Sequence, residues 1–163
     1  MANILYMAIS KDGFIAGTGD ETPWSDAEWE AFETFIKGCD AVLLGRRTYE
    51  VMRDTDEFVK GVRYIVATGN SDLNTGDMEK VSIETAADMP RVRRLAIIGG
   101  GELNGRLATL GVIDEMILDI EPISLYEGIR LFGDYDVPLK LQLKGSRKIG
   151  KGTIQRHYVV MKG

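Results

Sequence analysis

Three consecutive glycines, Gly99, Gly100 and Gly101, follow the apolar run Leu95-Ala-Ile-Ile98 and lead into Glu102-Leu103-Asn-Gly-Arg-Leu107. Residues without Cβ let the backbone turn sharply and come close to a ligand. A helix starting there presents unpaired N–H groups and the positive end of its dipole, which suits a phosphate or pyrophosphate. Glycines of this kind also serve bare strand-to-helix turns, so a second feature has to decide. Asp40-Ala-Val-Leu-Leu-Gly-Arg-Arg-Thr-Tyr-Glu50 supplies it: a buried strand ending in Gly45, then Arg46, Arg47 and Thr48 in the first helical turn. Cations sit unfavourably at the positive end of a helix unless an anion compensates them, and the guanidinium fork matches phosphate oxygens. In an open sheet, ligands gather at the carboxyl ends of strands, so two such turns can hold two parts of one dinucleotide.

The candidate acids are carboxylates. Asp119 interrupts the apolar run Met116-Ile-Leu-Asp-Ile120. Inside a central strand it requires a partner or a ligand, since an unpaired buried charge is costly; at a strand edge it would face water. Glu28 stands three residues after Ser25, a capping-box spacing. Asp12, before Gly13, reads as a turn-holding residue. Cys39 reads as packing, and His157, the only histidine, as a satisfied residue of the last strand, so metal chemistry built on clustered His and Cys is excluded. Trp24 and Trp29 fit either a substrate cleft or a core.

The elements that must position these groups alternate. Asn3–Ile9 favours a strand, Ser10–Gly13 a turn, and Phe14–Gly17 a second short extended piece. The loop from Gly17 to Pro23 is polar. A helix is expected from about 26 to 37, where Trp29, Phe32 and Ile36 recur at helical spacing, and a strand over Ala41–Leu44. A helix over 47–53, a strand over Val62–Ala67, a weak strand near Val81 and a short helix around 85–88 follow. Arg94–Ile98 reads as a strand, Glu102–Leu110 as a helix stopped by Gly111, and Glu115–Ile120 as a strand broken at Pro122. Alternating Leu139, Leu141 and Leu143, the Gly150-Lys151-Gly152 turn and Thr153–Val160 form an antiparallel hairpin. The fold class is α/β: a three-layer sandwich with a central, mostly parallel mixed sheet flanked by helices and a C-terminal antiparallel hairpin.

At 163 residues, 44% apolar and 28% charged, the chain is expected to form a single domain over 1–163. A formal charge of −5 argues against a nucleic-acid partner. One cysteine and the absence of a long apolar run point to a cytoplasmic protein with no membrane partner.

In this order and spacing the chain resembles the dihydrofolate reductase superfamily, and particularly the C-terminal reductase domain of the bifunctional riboflavin-biosynthesis deaminase/reductase. The resemblance rests on Met7–Ala16, Pro23-Trp24, Leu44–Glu50, Ile98–Leu103, Ile113–Leu118 and the closing hairpin. It implies an NADPH-dependent oxidoreductase that transfers hydride to a C=N or C=O bond of a small heterocyclic or sugar-linked substrate, and a homodimer. By resemblance the pyrophosphate would meet Gly99, Gly100, Gly101, Glu102 and Leu103, with Gly45, Arg46, Arg47 and Thr48 along the phosphates. Thr68 would lie near the adenosine 2′-phosphate. Ala8, Ile9 and Ile15 would border the nicotinamide, and Gly17 would sit in a closing loop. The superfamily's pterin-binding carboxylate falls on Trp29, so Glu28, Glu30 and Asp119 become the candidate catalytic acids, with Trp24, Trp29 and Tyr126 as substrate contacts. The alternatives are a dihydrofolate reductase with a displaced acid and an NADPH- or flavin-binding module without turnover.

Overall fold

A computed structural model describes residues 2–88 and 92–162. Its centre is an eight-stranded sheet built from β1 (Ala2–Ser10), β3 (Ala41–Gly45), β4 (Tyr64–Ala67), β5 (Glu79–Val81), β6 (Arg94–Ile97), β7 (Glu115–Glu121), β9 (Leu141–Lys148) and β10 (Ile154–Val160), in the order β5-β4-β3-β6-β1-β7-β10-β9. The strands from β5 to β7 are parallel, and β10 and β9 join antiparallel. The expected mostly parallel mixed sheet is therefore present. Strands β1, β3, β4 and β6 are apolar on both faces, as a sheet covered by helices on each side requires.

On one face α4 (Gly101–Thr109) sends Leu103 and Leu107 onto Leu5, Leu43, Leu95 and Ile97. On the other, α1 (Asp26–Lys37) buries Ile36 against Val42 and Ala96, and α2 (Arg46–Asp54) buries Tyr49 and Met52. Farther along α1, Phe32 and Phe35 cover Tyr6, whose ring stacks on Phe35 with centroids 4.7 Å apart. Ser25 caps α1 by accepting from the Glu28 amide at 3.2 Å, as the sequence spacing predicts. A short α3 (Ile83–Asp88) follows β5.

Two features of the sheets are set by distant contacts. The Phe14–Ala16 piece, β2, does not extend the main sheet. It pairs antiparallel with β8 (Ile129–Arg130), whose two residues carry no strand pattern of their own. Asp12 supports this arrangement by accepting from the Leu125 and Tyr126 amides at 3.1 and 2.7 Å. A bond from the Ser10 hydroxyl, and then these two, hold its carboxyl down at about 2. The second is β9, which forms the expected antiparallel hairpin with β10 and, as the terminal strand of the sheet, has all eight residues exposed.

Candidate active site

The carboxyl ends of β1, β3, β4 and β6 lie at one edge of the sheet because these strands are parallel. At that edge the two glycine turns meet: the Gly45 amide donates to the Gly99 carbonyl at 2.7 Å. Gly99 has φ +102°, and a Cβ there would press on the Met7 thioether at 3.3–3.4 Å, so glycine is needed both for backbone and for space. The N-caps of α2 and α4 are Gly45 and Gly100, and neither helix has a side-chain cap. Two sets of unpaired N–H groups therefore open side by side, with the Thr48 hydroxyl only 3.4 Å from where a Gly100 Cβ would stand. This donor set fits an anion of pyrophosphate type. Thr68 ends β4 at the same edge, its hydroxyl accepting from the Asn70 amide at 3.0 Å. Ala8 and Ile9 end β1, and both are nearly buried, as is Ile15.

The structure gives Arg46 and Arg47 carboxylate partners. Arg46 forks onto Glu50 at 3.0 Å along the helix, and Arg47 donates to Asp20 at 2.8 Å. The second bond ties α2 to the loop that begins at Gly17, which closes on itself through Gly17 N–H to the Glu21 carbonyl at 2.8 Å. Glu102 is exposed in the first turn of α4, and Leu103 is buried beneath it.

Beside this edge, under α1, lies a cluster of acids. Asp119 is fully buried and Glu28 is 4% exposed. The register places Ala8 and Gln155 opposite Asp119 on its two flanking strands. Tyr6, two residues before Ala8 and on the same face of β1, donates its hydroxyl to Asp119 Oδ2. Gln155 Nε2 donates to Oδ1 at 2.9 Å, and Glu28 completes the set from α1 through a hydrogen bond to the same carboxyl. Burial, then the charge of Asp119, pushes the Glu28 carboxyl up to about 8. Burial also raises Asp119, against the lowering effect of its hydrogen bonds to Tyr6, Gln155 and Glu28. Tyr6 is raised well above the ordinary phenol range by burial and by the same aspartate. Near neutral pH burial thus favours retention of a proton by the coupled Glu28–Asp119 pair. Glu121, two residues on and on the same face of β7, accepts from the Ser25 amide and hydroxyl and from Thr153.

Of the sequence candidates, Glu28 and Asp119 come together, and Glu30 does not join them: it is exposed on another side of α1. Trp29 lines a cleft of about 590 Å3 with Glu33, Lys37, Phe58 and Lys60. Trp24 is half-buried in the loop before α1. Tyr126 is 86% exposed, its main chain fixed by Asp12 and its ring in solvent. The cluster members missed from the sequence are Tyr6, Gln155 and Glu121. Only Glu121 had a local signal, its i+2 spacing from Asp119 on a strand; the other two depend on inter-strand register.

The comparisons with known proteins agree with this geometry. The family model of the RibD C-terminal domain matches residues 3–155. The uncharacterized protein YwjB of Bacillus subtilis is 30% identical over 169 residues, covering 96% of each chain. Among solved structures, a putative riboflavin biosynthesis protein from Shewanella sp. PV-4 superposes with a TM-score of 0.82 at 22% identity, covering 99% of this chain and 100% of that one. A dihydrofolate reductase from Enterococcus faecalis complexed with NADP(H) gives 0.75 at 17% identity, covering 99% and 97%. The fold is thus that of dihydrofolate reductase, and with its glycine cradle, its buried acids and a family match over nearly its whole length, this chain belongs to the RibD C-terminal domain family.

Proposed function

We propose that this protein is an NADPH-dependent reductase of the riboflavin-reductase type, acting on a C=N or C=O bond of a small heterocyclic or sugar-linked substrate. The observation that carries the reading is the meeting of two uncapped helix N-termini at Gly45 and Gly99–Gly101, beside a buried carboxyl that keeps its proton near neutral pH. The pyrophosphate is held by the main-chain N–H groups of Gly101, Glu102 and Leu103 and by those opening α2, with Thr48 adding a hydroxyl. Thr68 and its loop take the adenosine end, and Ala8, Ile9 and Ile15 wall the nicotinamide. When bound, NADPH supplies the hydride.

The chain itself must orient substrate and supply a proton. Helix α1 carries a group for each task on adjacent residues: Glu28 is buried against Asp119, and Trp29 lines the cleft with Phe58. Helix α2 starts in the cradle and ends at the loop that forms the far wall of that cleft, a span of about 13 Å at 1.5 Å per residue. Aromatic side chains on the lining suit contact with a planar heterocycle. A carboxyl with its pKa near 8 is matched to proton donation at neutral pH, and the Asp119 carboxyl steadies its orientation. A homodimer, cytoplasmic and without nucleic-acid or membrane partners, is part of the same reading.

The test is NADPH oxidation followed with a panel of pyrimidine, pterin and imine substrates, for the wild type and Glu28→Gln. Turnover on any of them, reduced at least tenfold in kcat by the substitution with NADPH affinity unchanged, is expected. Turnover that the substitution leaves intact removes Glu28 from the chemistry.

A further inference from the structure

A second groove, of about 650 Å3, runs between α1 and the β9–β10 hairpin. It exists because α1 presents short side chains there: Ala27, Ala31 and Thr34 follow one another at i, i+4 and i+7, and Gly38 ends the helix. Larger residues at these positions would fill the space to the hairpin. Tyr6 and Gln155 line the groove from the sheet, so it adjoins the Asp119 cluster from the side away from Trp29.

The groove gathers positive charge on a concave surface. Five arginines elsewhere are matched to acids: Arg46 to Glu50, Arg47 to Asp20, Arg53 to Asp54, Arg63 to Glu79 and Arg106 to Glu84. The groove's three cations, Arg94, Arg147 and Lys148, have no carboxylate partner among the described residues. Arg94 instead lies over the Phe35 ring at 4.9 Å, and Arg147 Nε donates to Gln155 Oε1 at 2.9 Å. Glu30 is the only carboxylate on the lining. The pattern has a source in the sequence: after Asp136 there is no acidic residue, while seven of the 20 basic residues follow it. A chain with net charge −5 thus turns unmatched positive charge onto one wall of a concave surface.

We infer that this groove binds a phosphate-bearing small molecule, its anionic group taken by Arg147, Lys148 and Arg94 and its remainder lying along Ala31 and Thr34 towards Gln155. Guanidinium groups grip phosphate oxygens in pairs, and neither Arg94 nor Arg147 has its guanidinium in an ion pair among the described residues. The site is separate from the glycine cradle, which lies at the carboxyl edge of the sheet, and the inference holds whether or not the cradle takes a dinucleotide. It is also wired to the acids. Arg147 bonds to Gln155, and Gln155 bonds to Asp119, so an anion on the rim sits two hydrogen bonds from the carboxyl pair.

The experiment is an amide NMR titration of the whole protein with inorganic phosphate and with ribose 5-phosphate, against chloride at matched ionic strength. Saturable shifts at the Ala31 and Thr34 amides and the Gln155 side-chain amide are expected with both phosphates and not with chloride. Binding should weaken about tenfold in the double substitution Arg147→Ala, Lys148→Ala. It should also be blocked by Ala31→Phe, which fills the groove and leaves its charge alone. Shifts that follow ionic strength only, that are confined to Gly99–Leu103, or that survive both sets of substitutions overturn the inference. So does a change at these residues that tracks protein concentration, with a doubled mass in sedimentation, because a second copy would then occupy the groove.

Discussion

Replacing Glu28 with glutamine keeps the shape and a donor to Asp119 but removes the ionisation, and its consequences for stability follow from the raised carboxyl. The ordinary value is 4.5 and the folded one about 8. Between those limits the native protein keeps a proton that the unfolded chain has released, so wild-type stability falls as pH rises through this window and levels off above it. The full gap corresponds to about 5 kcal/mol at roughly 1.4 kcal/mol per pH unit, and because Asp119 shares the proton, about 2 to 5 kcal/mol falls to the substitution. For a chain of this size that is a rise in melting temperature of roughly 5–15 °C. Thermal unfolding of both proteins from pH 5 to pH 9 reads it directly. The two should melt within a few degrees of each other at pH 5, and Glu28→Gln should pull ahead steadily to pH 8.5. Titrating groups that do not interact with Glu28 are common to both proteins and cancel in the difference, and the altered share of Asp119 sets the width of the range. A gap that does not change with pH would show that Glu28 ionises normally and refute the argument.

Two further substitutions probe the surroundings. Tyr6→Phe removes a donor from the buried Asp119 carboxyl and should cost about 1–3 kcal/mol in urea unfolding at neutral pH. Gly101→Ala places a Cβ 2.7 Å from the Arg130 carbonyl and 2.8 Å from the Gly133 amide, main-chain atoms that cannot swing aside. It should destabilise by about 1–3 kcal/mol as an overpacking change, whereas the same substitution at Gly69, where a Cβ meets nothing within 4 Å, should leave stability within about 0.5 kcal/mol.

Much of the fold was legible because its signals are local. The Ser25–Glu28 cap, the apolar face of α1 and the glycines ending β3 and β6 each sit within a few residues of the element they define, and each element appears within one or two residues of its expected bounds. What depended on distant partners was not legible. Strand β8 exists only because β2 needs a neighbour and Asp12 holds the loop before it. The exposure of β9 follows from its place at the end of the strand order, which alternation within nine residues cannot convey. The site divides in the same way. The glycine turns, with their arginines and Thr48, announced themselves by residue type, and Asp119 by being a charge in an apolar run. Its partners came from α1, β1 and β10, more than 30 residues away in each case, so Tyr6 and Gln155 gave no sign. Arg46 could have been seen to face Glu50, four residues on, but Asp20 as the partner of Arg47 required the folded loop.

The central claim is that the paired glycine turns hold NADPH, and a direct binding titration tests it most closely. The purified, nucleotide-stripped protein is titrated with NADPH and with NADH, alongside Gly100→Asp, which puts a carboxylate between two anion-binding helix ends, and Arg46→Ala. Micromolar NADPH binding is expected, weaker for NADH, abolished by Gly100→Asp and reduced severalfold by Arg46→Ala. Absence of binding by either nucleotide, or NADPH binding that Gly100→Asp leaves unchanged, would contradict the assignment of this cradle and with it the reductase.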